Sequence, residues 1–286
     1  VLTMDYINQA TAYLNLQWSS VLHLFGNEKK NVFVIGTSLV LFLSFCAVNS
    51  FFMFLDFTGK PKFLHKYKIQ KDKNIPVEPA RFLHCCKVAF RNELLSCGMV
   101  LFLYPVMQCT GMTCQAPLPP IWEGFLHFVA FVLVDEFIFY YSHRLFHHPF
   151  IYKHIHKMHH EWIAPISIAA SYAHPIEHIV SNALPLLVGP ILMGSHIAVV
   201  WIWLVIAQFE TCLHHCNYHF PVMSSPQFHD YHHVKFNECF GTNGLLDWVH
   251  KTDVQFKKSI QAKRHITYYR LGPITKLFPS KDKKEN

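Results

Sequence analysis

VFVIGTSLVLFLSFCAVNSFFMFL, residues Val32 to Leu55, is a run of 24 residues without a single charge. Wound as a helix at about 1.5 Å per residue it is roughly 36 Å long, enough to cross the hydrocarbon core of a bilayer. Leu94 to Trp122 is also uncharged, and its Leu94 to Thr113 portion predicts a second span despite Pro105. A third apolar run, Phe125 to Val134, continues through Asp135 and Glu136 to Tyr141; two acids near a helix end are tolerated when they face the protein interior. Ile179 to Phe209 again lacks Asp, Glu, Lys and Arg, but Pro185, Gly189-Pro190 and Gly194-Ser195 interrupt it. That pattern predicts a helical hairpin or two short re-entrant pieces. Before the first run, Ile7, Leu14, Trp18, Val21, Leu22 and Phe25 lie among polar residues, as in an amphipathic segment resting on a membrane or a soluble cap helix.

The composition agrees with a membrane protein: 51% of the 286 residues are hydrophobic and only 15% charged. The net charge of +7 does not point to nucleic acid, because the excess lies in lysine clusters beside apolar runs and at the C-terminus. Lys29 and Lys30 precede the first span, whereas Lys60, Lys62, Lys66, Lys68, Lys71 and Lys73 follow it, so the loop after it is expected in the cytosol. Counting the spans onward puts every histidine cluster and the C-terminus there too. No internal repeat, P-loop or GxGxxG is present, which removes the common nucleotide sites. The nine Cys are dispersed without a CxxC, so most read as small apolar fillers; Cys109 and Cys114 could pair if their end of the apolar run faces an oxidising lumen. Since the chain begins at Val1 rather than Met, its start says nothing about a targeting segment upstream.

Sixteen of the 22 His lie between His143 and His233. Four groups stand out: His143 with His147 and His148; His156, His159 and His160; His215 with His219; and His229, His232 and His233. Residues three or four apart share a helix face, so ten imidazoles can converge: His143, His147, His156, His159, His160, His215, His219, His229, His232 and His233. His148 lies about 140° around the helix from His143, against about 40° for His147, and is left as a spare. One transition metal takes at most about six ligands, so ten imply two metals. The count does not choose among iron, copper, zinc and nickel. The HExxH protease pattern is absent, because His160-Glu161 is followed by Trp-Ile-Ala. Isolated histidines such as His23, His65, His84, His127, His196, His250 and His265 read as ordinary core or surface residues. His174 and Glu177, in YAHPIE, could orient a ligand imidazole, although a turn opening on a helix-starting Pro is the favoured reading of them; Asp135, Glu210 and Asp230 could do the same job.

At these boxes the chain resembles the fatty acid hydroxylase and sterol desaturase superfamily of membrane di-iron enzymes, whose motifs read HxxxH, HxxHH and HxxHH. The resemblance covers roughly residues 66–253. KYKIQKDK (66–73), HKMHHE (156–161) with Ala164-Pro165, and YAHPIE (172–177) are similar to the C-4 methylsterol oxidase branch. HCNYH (215–219) and FHDYHH (228–233) are similar to the fatty acid hydroxylase domain-containing group of that branch. Methylsterol oxidases typically carry an acid where His219 stands, whereas the fungal sphingolipid fatty acid hydroxylases carry histidine, so His219 leaves the substrate open. The resemblance implies two iron ions, which zinc can replace in preparations, and O2 as co-substrate. It also implies NADH-derived electrons delivered by a reductase and a microsomal b-type cytochrome, for which the lysine-rich cytosolic face offers a docking surface. The implied reaction is oxygen-dependent hydroxylation of a lipid C–H bond in a C-4 methylsterol oxidase-like step of sterol biosynthesis. Fatty acid or sphingolipid hydroxylation is the alternative on the same centre. A non-catalytic membrane protein that holds zinc is the alternative of another class.

The expected protein is therefore an all-α, multi-pass membrane protein of about four transmembrane helices or equivalents, with a cytosolic helical cap carrying a dimetal site. Its parts are an amphipathic segment (1–31), transmembrane helices (32–142), a histidine-box region (143–253) enclosing the hairpin 179–209, and a cytosolic basic tail (254–286). The last four residues, Lys283-Lys284-Glu285-Asn286, match the dilysine retrieval pattern of endoplasmic-reticulum membrane proteins, with a frayed polar tail as the other reading.

Overall fold

The computed structural model describes residues 2–279, so the dilysine motif lies outside the described residues. Six long helices form the body: α1 Leu2–Leu24, α2 Lys29–Thr58, α3 Pro79–Cys109, α4 Ile121–Phe146, α5 Pro175–Leu192 and α6 Ile197–His215. Two shorter ones follow, α7 Gln227–Lys235 and α8 Leu245–His250. Among the described residues there is no strand, only two isolated bridges, Lys68 with Tyr218 and Thr113 with His196.

Sequence dictates the ends of these elements. Gly59, at φ 62°, closes α2 in the left-handed conformation that glycine adopts without a Cβ penalty. Glu78 accepts from the N–H groups of Ala80 and Arg81 and so starts α3 well before its apolar half. The uncharged stretch from Leu94 is consequently not a helix of its own. It is the second half of a 31-residue helix whose first half bears Arg81, Lys87, Arg91 and Glu93. Among the described residues four helices are long and apolar enough to cross a membrane, namely α2, α4, α5 and α6, and α3 is not among them. The number matches the expectation, but the hairpin supplies two of the four, each arm being a separate helix.

Packing follows the same division. The core gathers Leu41, Met99, Val100, Phe131, Leu187, Trp203 and Leu204 between α2, α3, α4, α5 and α6. The helices cross closely at Gly36, where a Cβ would come within 2.5 Å of Trp201, so only glycine lets α2 approach α6. Outward, Leu43, Phe54, Leu133, Phe137 and Ile202 are exposed, forming an apolar exterior suited to lipid. Helix α1 docks through Trp18 and Leu22, and the Trp18 indole N–H donates to Cys114 O at 2.8 Å. All nine cysteines are free, with Cys109 exposed and Cys114 buried, so the pairing considered for them is not formed. Lys60, Lys62, Lys66, Lys71 and Lys73 are exposed, but Lys68 is buried, its ammonium donating to the carbonyl oxygens of Lys73 and Asn74.

Candidate metal centre

Nine of the ten singled-out histidines meet at the end of the helical body, in two groups. His143, His147, His156, His160 and His232 form one; His159, His215, His229 and His233 form the other, and within each the donor nitrogens lie within 4.8 Å of one another. The backbone brings them there in four pieces. The last turn of α4 carries His143, and His147 caps that helix, so the two stand one turn apart. His156, His159 and His160 lie on a single 3-10 turn, His156–Glu161, and not on an α-helix. His215 is the last residue of α6, and α7 carries His229, His232 and His233.

Each HxxHH box divides between the groups. In the first, the i and i+4 members, His156 and His160, enter the five-histidine cluster while His159 crosses to the other. In α7 the order is reversed: His229 and His233 enter the four-histidine cluster and His232 crosses over.

His219 does not join them. Helix α6 stops at His215 and Asn217 takes φ 61°, so the chain turns away before a second helical turn could align residues 215 and 219. The His219 ring instead hydrogen-bonds Ile266 O (3.1 Å) and the Gln227 amide (3.3 Å), and its backbone N–H donates to Tyr67 O. The departure noted at this position in the sequence therefore leaves the clustered donor set unchanged.

Proton placement argues for cations between the rings. His143, His232, His215 and His159 each turn Nδ1 to a carbonyl oxygen, of Phe240 (2.7 Å), Glu238 (2.7 Å), Thr211 (2.8 Å) and Tyr172 (3.2 Å) respectively. A carbonyl can only accept, so Nδ1 holds the proton and Nε2 presents a lone pair. The Nε2 atoms of the clustered rings crowd together: His143 to His156 is 3.1 Å, His147 to His232 3.1 Å, His215 to His229 2.8 Å and His229 to His233 3.0 Å. Two nitrogens each about 2.1 Å from one ion at a right angle would sit about 3.0 Å apart, so the spacing fits shared coordination. Burial, reinforced by neighbouring imidazoles, holds His147 down to about 2, and burial holds His159 down to about 4. His156, His160, His229, His232 and His233 are pushed down in the same way, which keeps the rings neutral and ready to ligate.

Among the candidate supporting groups, Glu177 accepts from His156 Nδ1 at 2.7 Å. His174 instead caps the short turn that opens α5, taking the N–H of Ile176, and His148 likewise caps Pro149–Tyr152. Asp230 instead accepts from the Gln70 amide at 2.9 Å. Two acids went unrecognised in the sequence as supports of His143. Glu136 takes the N–H groups of Thr242, Asn243 and Leu246, and Asp247 takes those of Phe240 and Gly241, fixing the loop whose Phe240 carbonyl holds His143. An acid inside an apolar run was the one visible signal for Glu136.

Both clusters border a cavity of about 350 Å³, whose lining includes His143 and His156 of the first and His159, His215 and His229 of the second. It extends among Leu41, Met99, Phe128, Leu187, Trp203 and Leu204 of the helical body.

A sequence profile described as fatty acid hydroxylase matches residues 128–252. Human fatty acid hydroxylase domain-containing protein 2 is 43% identical over 269 residues, covering 94% of this chain and 81% of the relative. Methylsterol monooxygenase 2-2 of Arabidopsis thaliana is 32% identical over 219 residues, covering 72% and 80%. A fatty acid hydroxylase of Mycosarcoma maydis is 32% identical over 232 residues, covering 80% of this chain and 60% of the relative. No solved structure matches.

Proposed function

The chain belongs to the fatty acid hydroxylase family, and from that premise we propose that it is a membrane di-iron monooxygenase that hydroxylates a lipid C–H bond at a C-4 methyl group of a sterol. The observation that carries the reading is the pair of all-histidine clusters opening on an apolar cavity enclosed by apolar helices. The similarity to a methylsterol monooxygenase supports the sterol choice.

The nine clustered histidines would hold the two ions. Bound iron supplies the reduction of dioxygen, one atom of which enters the C–H bond while the other leaves as water, consuming two electrons and two protons. The remaining work falls to the protein. Glu177 and the carbonyls of Phe240, Glu238, Thr211 and Tyr172 fix the tautomer and aim of five rings. Leu41, Met99, Phe128 and Trp203 exclude water and take up the lipid body. Electrons reach the site from NADH through a reductase and a microsomal b-type cytochrome, whose acidic surface would meet the exposed Lys60, Lys62, Lys66, Lys71 and Lys73. The protein resides in the endoplasmic-reticulum membrane with the metal site and C-terminus in the cytosol; protection of a C-terminal tag from protease in sealed microsomes would contradict that orientation.

The lipid profile of cells lacking the protein tests the reaction. Accumulated 4-methylsterols are expected; unchanged 4-methylsterols with depleted hydroxylated fatty acyl or sphingolipid species would move the reaction to those substrates.

A further inference from the structure

The cavity is polar where it meets the metal end, and the polar groups there are arranged as a matched pair. Glu93 and Ser96, three residues apart on α3, both line it and are 3% and 7% exposed. At that spacing their Cβ atoms stand about 5–6 Å apart on one helix face. Glu93 uses one carboxyl oxygen, accepting from Ser171 at 2.9 Å, and the other accepts no hydrogen bond from the described residues. Ser96 lies 2.8 Å from His178 Nε2, and its hydroxyl has only a long 3.4 Å contact with Asn92 O. His178 Nδ1 is buried without a partner, so the tautomer that wastes no donor carries the proton on Nε2 and gives it to Ser96. The serine proton is then held weakly and can turn to a new oxygen. A free acceptor and a free donor side by side complement one hydroxyl group.

What the lining lacks is equally selective. Glu93, Asp135, Glu177 and Glu210 border the cavity, and among the described residues that line it there is no Lys and no Arg. Away from the ions that the histidines would hold, a carboxylate or phosphate headgroup would meet these acids with no side-chain cation beside them, at a cost that low-dielectric surroundings raise.

The pair is also tied directly to the histidines. Ser171, the partner of Glu93, adjoins Tyr172, whose carbonyl holds His159. His178, the partner of Ser96, adjoins Glu177, which holds His156. The polar end of the cavity is thus one residue removed from a support of each cluster.

We propose that Glu93 and Ser96, the latter positioned by His178, bind the hydroxyl of a neutral lipid alcohol and so bring the C–H bonds beside the hydroxyl-bearing carbon to the metal end of the cavity. This deepens the sterol reading and rests on it.

Binding of a 4,4-dimethyl-3β-hydroxysterol, its 3-deoxy analogue and palmitate to the purified full chain in nanodiscs separates the two claims. The parent should prefer the alcohol to the deoxy sterol by about tenfold, the worth of one to two hydrogen bonds. Glu93→Leu should erase that preference while leaving deoxysterol affinity and metal content as in the parent; Ser96→Ala should reduce it several-fold and carries the test if the first variant is not recovered folded. Variants that keep the parental preference would overturn the subsite and leave the sterol reading standing. A parent that binds palmitate and neither sterol would overturn both.

Discussion

The two histidine clusters are built from the same boxes in opposite order, yet they are not equivalent. The first gathers five donors and has a carboxylate, Glu177, behind His156. The second gathers four, and the supports recorded for it are backbone carbonyls, of Tyr172 and Thr211. At a six-coordinate ion five imidazoles leave one position free and four leave two. Three of the four rings in the second cluster border the cavity, against two of five in the first. On the proposed reading, the second cluster would hold the more open and labile metal and the first the more firmly held one. The difference also shows that an HxxHH box is divided between the clusters: its i and i+4 rings join one while the ring between them joins the other.

Removing a ring should break this comparison most severely. His159→Ala leaves three donors in the second cluster and should abolish turnover while metal content falls toward one per chain. His232→Ala leaves four donors in the first and should also abolish turnover, but with more metal retained, and neither change lies in a membrane helix. Equal metal content in the two variants would erase the proposed asymmetry. Graded chelation of the parent should then remove one metal before the other, with His159→Ala lacking the early phase; a single phase in both would place the two ions on equal footing. Glu177→Gln removes the carboxylate behind His156 and should weaken only the firmly held metal, by about 10–100-fold, as supporting groups of this kind typically do. The smallest effect belongs to His219→Ala: both metals should stay, with stability lowered by about 1–3 kcal/mol from the unpaired Ile266 and Gln227 groups. Loss of a metal in that variant would restore His219 as a ligand.

His219 also marks how far the sequence could be read. The uncharged run at Val32 to Leu55 and the spacing of the boxes sufficed for the helical membrane body and for the convergence of nine of the ten singled-out histidines, because apolar length and i, i+4 recurrence are local properties. The tenth failed because periodicity does not announce where a helix ends; α6 stops at His215, and Asn217 turns the chain in a conformation that no apolar pattern encodes. The same limit hid the start of α3, where a capping Glu78 extends an apparently separate span backward into charged sequence. The carbonyls of Phe240, Glu238, Tyr172 and Thr211 were illegible for another reason, since every residue carries one and only the fold selects which meets a histidine. Lys68 counted as surface charge in the sequence, yet its ammonium turns inward to two carbonyls.

Nine histidines, five and four, are proposed to hold two ions. Metal content per chain, measured on protein purified in the membrane and loaded anaerobically with iron, tests it most directly. Two iron ions per chain are expected in the parent, close to one in His159→Ala and two in His219→Ala. One ion per chain in the parent, or none retained through a chelating wash, would contradict it.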